Sequence, residues 1–459
     1  MFKRNLTFAV NMSTTTVHGK RRQRRSDKCK APNGASPSFL LNVANQCAKT
    51  CKFHQKLDGL KYKAIAFWEV IVYSVLFCMG IEDASNKLNK IKLAELNRKL
   101  RRKKAQKELG GPYERHERLV PDRSQVNDFK RKLPARFVKN LEHHVLKAQV
   151  DYLLGVKLLP RRIDVIIDFN DKPYYGKLKL GDSKTITGTT KAPGTHRVRK
   201  FLGVLIKAGK LRVFTHFDLA RKGISHDVFV KTALGDLLSW GFTIRRVLAD
   251  RWFANRGVLE WCKGHGIEYV GPIKKRKNII VFIHQYLKTG KDILFSFLMH
   301  GDPKRYGTKH PLQVWIFLAV RDKERLAVIR RQYKERKLTL AQATNKIHVF
   351  VVTSKPPKSK QDQAAWLRGL ARYYKNRWYI ETAFRDLNRI KPTCHARTDA
   401  AKIFCMMTRC WLYNAWQIER ERRRRLRNVP ASWRNGPTLK EFCETFYELK
   451  FLPEIFATG

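Results

Sequence analysis

Residues 162 to 170 read RIDVIIDFN, a short run of mostly apolar, β-branched residues with Asp168 near its end. Such a run is typical of a buried strand. Two more strands are predicted, in LRVFTHFDLA (residues 211–220) and in FTIRRVLADRWF (residues 242–253), where the apolar run again ends in a carboxylate, Asp250. Because the helical spacing of VFVKTALGDLLSWG separates these two strands, the sequence predicts an α/β layer.

The charge of the chain indicates the class of partner. Among 459 residues, 95 are Lys or Arg and 38 are Asp or Glu, which gives a formal net charge of +57. Many cations neutralise phosphates well, and aromatic residues scattered among them suit stacking on bases, so nucleic acid is the expected partner. A membrane is not expected, since the most apolar run, residues 64–80, contains Glu69 and is shorter than the ~20 residues that a bilayer crossing needs.

The N-terminus and the cysteines predict the compartment. KRRQRR follows a brief apolar patch without a signal-peptide cleavage site, and nine cysteines spread over the chain do not form a disulfide framework, so a cytoplasmic protein is predicted. In a prokaryote, a cytoplasmic protein whose basic segments contact nucleic acid is predicted to associate with the nucleoid. Cys47, Cys51 and His54 resemble half of a zinc site, and His143 and His144 are further possible ligands, but a buried helical cysteine face is the favoured interpretation.

Changes of pattern divide the chain into six predicted segments. Their ranges are a flexible basic arm (1–37), a helical DNA-binding region that suits a helix-turn-helix (38–157), a first α/β part (158–276), a β-rich insertion (277–356), a helical part (357–427) and a tail with a short helix (428–459). Within the insertion, NIIVFIHQYL (residues 278–287) is predicted to be a strand because of its β-branched residues.

A basic and aromatic helix is predicted in YYKNRWYIETAFRDL, residues 373–387. At about 100° per residue one stripe of it carries polar and aromatic side chains, and an adjacent face is apolar. The members of the stripe are Tyr374, Arg377, Trp378, Glu381, Arg385 and Asn388, and those of the apolar face are Tyr373, Ile380, Phe384 and Leu387. The stripe is therefore expected to face an anionic partner while the apolar face packs on a core.

Asp168, Asp250 and Glu381 are the candidate catalytic acids. Carboxylates at the strand ends of an α/β sheet lie where such folds place their sites. Three of them suit two Mg²⁺ ions, which prefer oxygen ligands and would neutralise the acids in so basic a protein. The competing interpretation is that the aspartates are turn or cap residues and that Glu381 makes a surface ion pair. Asp171 and Asp182 are alternative acids, but only Asp168 directly follows the apolar run.

These residues also carry a resemblance to a known family. Tyr374, Arg377 and Glu381 have the spacing of the Y-(2)-R-(3)-E-(6)-K signature of prokaryotic insertion-sequence transposases with a DDE, ribonuclease-H-like core. RWYIE is similar to the family's Arg-Trp-x-Ile-Glu, while IDFN and ADRWF resemble the segments with its first and second aspartates. The family also has a β-rich insertion between its second and third acids. The resemblance covers about residues 160–425, with a variable DNA-binding part before it.

The resemblance implies a fold, a reaction and site residues. It implies an α/β, ribonuclease-H-like core interrupted by the β-rich insertion and preceded by an all-α DNA-binding region. Asp168, Asp250 and Glu381 would hold two Mg²⁺ or Mn²⁺ ions, so that water cuts the transposon end and the freed 3′-hydroxyl attacks target DNA. Contacts to DNA would come from Tyr374, Arg377, Trp378, Arg385, Asn388 and Arg389. The resemblance also implies double-stranded DNA, both transposon ends and target, as the partner, with a homodimer assembled on it as the expected active form.

One departure from the signature keeps two alternatives open. Asn388 stands where the signature has its final Lys, and Arg385 and Arg389 lie close to it in the sequence. Either arginine is expected to replace that phosphate contact, or the protein has weakened activity. The alternatives to a transposase are a catalytically silent or regulatory DNA-binding protein derived from one, and a metal-dependent nuclease without strand transfer.

Overall fold

The computed structural model describes residues 81–106, 120–133, 135–175, 185–192, 194–291, 293–300, 310–320, 326–390 and 398–426, with a few more at 66–74 and 438–442. The predicted basic arm and the predicted half zinc site at Cys47, Cys51 and His54 lie outside these residues, as does Asp182. No helix among the described residues is both long and apolar enough to cross a bilayer.

Nine strands and eleven α-helices have both of their ends within the described residues. The strands are β1 (Arg162–Pro173), β2 (Ile186–Ala192), β3 (Thr195–Ala208), β4 (Leu211–Leu219), β5 (Thr243–Ala249), β6 (Glu268–Pro272), β7 (Leu294–Met299), β8 (Leu312–Val320) and β9 (Ile347–Val352). The helices are α1 (Ile81–Gln106), α2 (Arg123–Lys132), α3 (Ala135–Gly155), α4 (His226–Ser239), α5 (Arg256–Gly264), α6 (Lys277–Thr289), α7 (Leu326–Lys334), α8 (Leu340–Lys346), α9 (Lys360–Tyr374), α10 (Trp378–Arg389) and α11 (Asp399–Leu426).

All nine strands belong to one mixed sheet. Its order is β2-β3-β1-β5-β6-β9-β8-β7, and β4 also pairs with β3. Strands β1, β5 and β6 run parallel, and the other pairings are antiparallel. The predicted α/β class is therefore confirmed as a mixed α/β fold with a mixed sheet.

Strand β1 lies inside the sheet, between β3 and β5. Residues 163–168 are all buried, and they are apolar except for Asp168 and for Asp164, whose carboxylate pairs with Arg245. Asp168 was predicted to end this strand, and that prediction was wrong, because antiparallel pairing with β3 continues to Pro173. The parallel pairing with β5 ends at Ile167, opposite Ala249, so Asp168 lies where its parallel neighbour stops.

Helices cover both faces of this sheet. Helix α10 packs on β1 and α11 packs on β4, while α4 packs on β5 and α5 on β6. Phe169, whose side chain points away from that of its neighbour Asp168, contacts His226 at the start of α4. Asp168 therefore lies on the face that α10 covers, opposite to the face that α4 covers.

The segment 277–356 is more helical than the sequence suggested. Residues 278–287 were predicted to be a strand, but they lie in α6, with Ile279, Ile283, Tyr286 and Leu287 buried. This i, i+4, i+7, i+8 spacing is helical, and it outweighed the β-branched composition on which the strand prediction rested. The segment contributes strands β7, β8 and β9 to the main sheet and three helices beside them.

Helix α3 joins the N-terminal helices to the sheet. It packs against β4 and α11. At the contact with α11, the Gln149 side chain donates to the Trp411 carbonyl at 3.1 Å and accepts from Asn414 Nδ2 at 2.9 Å. The second helix of the suggested helix-turn-helix thus has its apolar face in the core, and the assignment of residues 38–157 to DNA binding stays a prediction.

Gly203 on β3 permits a close approach between the sheet and α10. A Cβ there would lie 2.8 Å from Phe384 Cζ and 3.2 Å from Phe217 Cε2. We expect Gly203→Ala to lower the free energy of unfolding by about 2 kcal/mol, because both rings are held in the core. Gly188→Ala on β2 is the matched control, since nothing lies within 4 Å of its would-be Cβ. Urea unfolding of both variants tests this, and equal stability of the two would contradict the close-packing argument.

Candidate active site

Asp168 and Asp250 lie beside each other on neighbouring parallel strands. Ile167 is opposite Ala249 in the register of β1 and β5, so the next residue of each chain segment is an aspartate. Asp168 is buried, with 8% of its surface exposed, and its Oδ1 accepts from the Phe169 backbone N–H at 2.8 Å. Asp250 follows the last residue of β5, and its Oδ1 accepts from the Arg251 N–H at 2.7 Å. The sheet thereby brings the first two predicted acids together.

Arg377 connects the first acid to the third. Its Nη1 donates to Asp168 Oδ2 at 2.5 Å, and its Nη2 makes a short hydrogen bond to Glu381 Oε1. Glu381 lies in the first turn of α10, and its side chain is about one-third exposed. Arg377 therefore holds two carboxylates from β1 and α10 around one guanidinium.

Burial has the largest single effect on the pKa values of Asp168 and Arg377. Burial raises the pKa of Asp168 to about 7, against the opposing effect of Arg377 and with a further increase from the charges of Asp250 and Glu381. For Arg377, burial favours the neutral form, but Tyr374 and Asp168 outweigh it and the pKa is raised. Several acids in a poorly solvated place are the condition under which a bound cation is stabilising.

The helix that carries the predicted stripe is broken into parts. Helix α9 ends at Tyr374, a 3₁₀ turn covers Lys375–Arg377, and α10 begins at Trp378. Because these residues keep right-handed helical angles, the 3₁₀ turn still leaves Tyr374 beside Arg377, with the guanidinium 5.8 Å from the ring centroid. The predicted apolar face is buried at Ile380, Phe384 and Leu387.

The other predicted DNA contacts spread along α10. Trp378 is 60% exposed at the start of the helix. Further along, Arg385, Asn388 and Arg389 are exposed as well, and Arg389 lies 3.7 Å from Asp386. They lie on the same helix as Glu381, Trp378 before it and the other three after it.

Sequence analysis missed two polar residues on the Asp168 face of β1. Asn170 and Lys172 follow Asp168 at i+2 and i+4, so their side chains point to the same side of the strand. The Lys172 ammonium group makes a short hydrogen bond to Asn388 Oδ1. Asn170 is buried, and its Nδ2 has no partner among the described residues. Side chains alternate between the two faces of a strand, and this alternation along β1 could have predicted both residues from the sequence.

Cation–aromatic pairs border the site on two more elements. Lys274 Nζ lies 4.1 Å from the ring centroid of Trp252, which is 46% exposed two residues after Asp250. The Arg246 guanidinium lies 3.9 Å from the Tyr373 ring. Of the two pairs, Lys274 and the exposed Trp252 suit contacts with phosphates and bases, whereas Arg246 is already paired with Glu268.

Comparison with known proteins identifies the family. Residues 180–415, slightly more than half of the chain, match the family model described as the transposase DDE domain. The chain belongs to this family. The predicted membership of a DDE transposase family is thus confirmed, and Asp250 and Glu381 lie inside the matched residues while Asp168 lies before them.

No curated protein matches this DDE transposase. A cryo-EM structure of a piggyBac transposase synaptic complex with hairpin DNA is similar to it, with a TM-score of 0.46 and 11% sequence identity. The similarity covers 93% of this chain and 83% of that chain.

Two of the candidate acids of this DDE transposase, Asp168 and Glu381, share a cation of the protein itself. Within the described residues, Asp168, Asp250 and Glu381 do not bring three ligand oxygens within 4.8 Å of one another. Arg377 lies between Asp168 and Glu381 instead. The donor set of carboxylate oxygens fits divalent metal ions such as Mg²⁺, and the guanidinium marks a place where positive charge is stabilised.

Proposed function

We propose that this DDE transposase binds the ends of an insertion sequence, cleaves them and joins the freed 3′-hydroxyl ends to target DNA. The observation that carries the proposal is the meeting of Asp168, Glu381 and Arg377 beside Asp250, on elements far apart in the sequence. The order β4-β3-β1-β5-β6, with three antiparallel strands and then two parallel ones, supports a ribonuclease-H-like core.

Each residue of the site has a proposed task. Asp168, Asp250 and Glu381 hold Mg²⁺ or Mn²⁺, two ions in all, which supply charge stabilisation for phosphodiester cleavage and strand transfer. Arg377 orients two of the acids and neutralises them when no metal is bound. Tyr374 keeps its proton, because burial raises its pKa, and donates to a phosphate oxygen. Trp378, Arg385 and Arg389 contact the DNA along α10.

Lys172 takes over the task of the missing signature lysine in this proposal. The signature places a Lys at the position of Asn388, and the Lys172 ammonium group lies against that side chain. Burial and the nearby Arg409 lower the pKa of Lys172 to about 8, so a phosphate oxygen beside it would favour the charged form. The cation would thus come from β1 and its amide partner from α10, whereas the signature places the cation at the position of Asn388.

An exchange of these two residues tests the role of Lys172. We expect Lys172→Asn to weaken binding to DNA ends by about tenfold, because one phosphate contact is lost. Asn388→Lys alone is also expected to reduce activity, since it places two ammonium groups together. The double variant Lys172→Asn/Asn388→Lys should recover most of the activity in a binding and cleavage assay. Improved activity of Asn388→Lys alone would contradict the exchange and favour a weakened site.

Metal-dependent cleavage tests the proposed function itself. Terminal inverted repeats from the DNA that flanks the gene are incubated with the full chain and a supercoiled target, with Mg²⁺, Mn²⁺ or EDTA. We expect cleavage at the repeat tips and joining to the target only with metal, and complexes with two protein chains per pair of ends in sedimentation. Binding without cleavage would instead favour the silent DNA-binding protein, and cleavage without joining would favour the nuclease.

A further inference from the structure

A second group of possible metal ligands lies away from the acids. His143 on α3, His216 on β4 and Asp236 on α4 bring three ligand atoms within 4.8 Å of one another. Asp236 Oδ2 is 3.2 Å from His216 Nε2 and 3.7 Å from His143 Nδ1. Ligands of tetrahedral Zn²⁺ at bond lengths of about 2.0–2.1 Å are roughly 3.3 Å apart, so small movements of the side chains would bring these three ligands into place, with water as the fourth.

The hydrogen bonds of His216 orient its ring for a cation. Thr215 Oγ1 donates to the Val204 carbonyl at 3.4 Å, so the same oxygen is left to accept from His216 Nδ1 at 3.1 Å. With the proton on Nδ1, the lone pair of Nε2 points at a carboxylate oxygen of Asp236. Two lone pairs that face each other at 3.2 Å repel each other, and a metal ion between them would be held by both.

An aromatic neighbour holds two of the ligands in place. Trp240 stacks on the His216 ring and packs edge to face with His143, which restricts both rings.

Nearby lysines are engaged by other carboxylates. Lys147 Nζ lies 2.6 Å from Asp151, and Lys139 Nζ lies 3.3 Å from Asp218. Their positive charges are therefore partly compensated and oppose a bound cation less than free ammonium groups would. The side chains of His143 and Asp236 are 39% and 32% exposed, so solvent and ions reach the group.

The group is separate from the catalytic acids. Asp168, Gly203 and Phe217 are opposite one another across β1, β3 and β4, so their side chains point to one face. His216, the neighbour of Phe217, points to the other face, about 10 Å away across two strand spacings. We propose that His143, His216 and Asp236 form a structural zinc site that fastens α3 to β4 and α4. His143 precedes the residues matched by the family model, so the metal would attach the N-terminal helices to the core.

Metal binding by the full chain tests this site independently of DNA cleavage. The chain is stripped with EDTA, dialysed and titrated with Zn²⁺, in an Asp168→Asn/Glu381→Gln background that weakens binding at the acids. We expect one Zn²⁺ per chain and a rise in melting temperature of at least about 3 °C. His143→Gln and Asp236→Asn should each reduce the Zn²⁺ affinity at least about tenfold. His144→Gln is the matched control, because His144 is an exposed neighbour on α3 outside the group.

Co²⁺ distinguishes this site from the cysteines. Tetrahedral Co²⁺ with imidazole and carboxylate ligands absorbs in the visible region without the near-ultraviolet charge-transfer band that thiolates give. We expect this spectrum in the background protein and in His144→Gln, and its loss in His143→Gln. A thiolate band, equal Zn²⁺ affinity in His143→Gln, or no Zn²⁺ binding would overturn the proposal, and the last result would favour the other His216 tautomer, in which Nε2–H donates to Asp236.

Discussion

Replacing Glu381 by Gln should reduce DNA cleavage and joining by at least about a thousandfold while binding to DNA ends is retained. The substitution removes one negative charge and one metal-ligating oxygen from the site but keeps the shape of the side chain. Arg377 still has an oxygen to which it can donate, so the fold of α10 is expected to be unchanged. Gel-shift and strand-transfer assays on the terminal repeats measure the two properties separately.

A matched substitution separates this effect from a general loss of charge. Glu335, just after α7, pairs with Lys337 and Arg331 at the protein surface. Glu335→Gln is therefore expected to cleave and join as the wild type does. If Glu381→Gln cleaves at a rate within about tenfold of the wild type, Glu381 is not a metal ligand, and the surface ion pair is the better interpretation.

Replacing Arg377 by Met should destabilise the metal-free protein by about 3 kcal/mol at pH 8, because two carboxylates lose their shared cation. Asp168 has a folded-state pKa of about 7, raised above its usual value, so it is protonated at pH 5 in both proteins. At pH 8, one unit above that pKa, keeping Asp168 protonated costs the variant at most about 1.4 kcal/mol, and this part of the deficit should disappear at pH 5. Loss of Arg377 raises that pKa further, since Arg377 is the main influence that lowers it.

Divalent metal provides the second test of Arg377. If Mg²⁺ binds the same carboxylates, it should restore part of the stability of Arg377→Met at pH 8 and raise its melting temperature more than that of the wild type. Urea unfolding at pH 5 and pH 8, with Mg²⁺ or EDTA, measures this. Arg385→Met, on the exposed side of the same helix, is the control. An equal loss at both pH values, unaffected by Mg²⁺, would show that Arg377 acts through packing alone.

Much of the fold and of the candidate site followed from local patterns. The run RIDVIIDFN predicted a buried strand because all of its central residues are apolar, and the structure buries residues 163–168. The 3.6-residue period predicted α4 and α10, whose apolar residues face the core. The resemblance around Glu381 predicted the family, which the family model confirms. Each of these signals lies within a dozen or so neighbouring residues, where the sequence is directly informative.

Errors arose where local composition and period disagreed. The β-branched residues of α6 suggested a strand, although the buried positions of Ile279, Ile283 and Leu287 follow a helical period. The extension of β1 past Asp168 was also missed, because it depends on pairing with β3, a partner more than twenty residues away. Strand length is decided by the available partner as well as by the strand's own residues.

The sequence by itself determined the charge, the α/β class, the family and the identity of the three candidate acids. Only the tertiary structure decided that Arg377 joins Asp168 to Glu381, that Lys172 lies against Asn388, and that His143, His216 and Asp236 meet on the opposite face. These contacts join residues on different strands and helices, brought together by strand order and helix packing. No local spacing encodes such a distance, so it becomes visible only when the sheet is assembled.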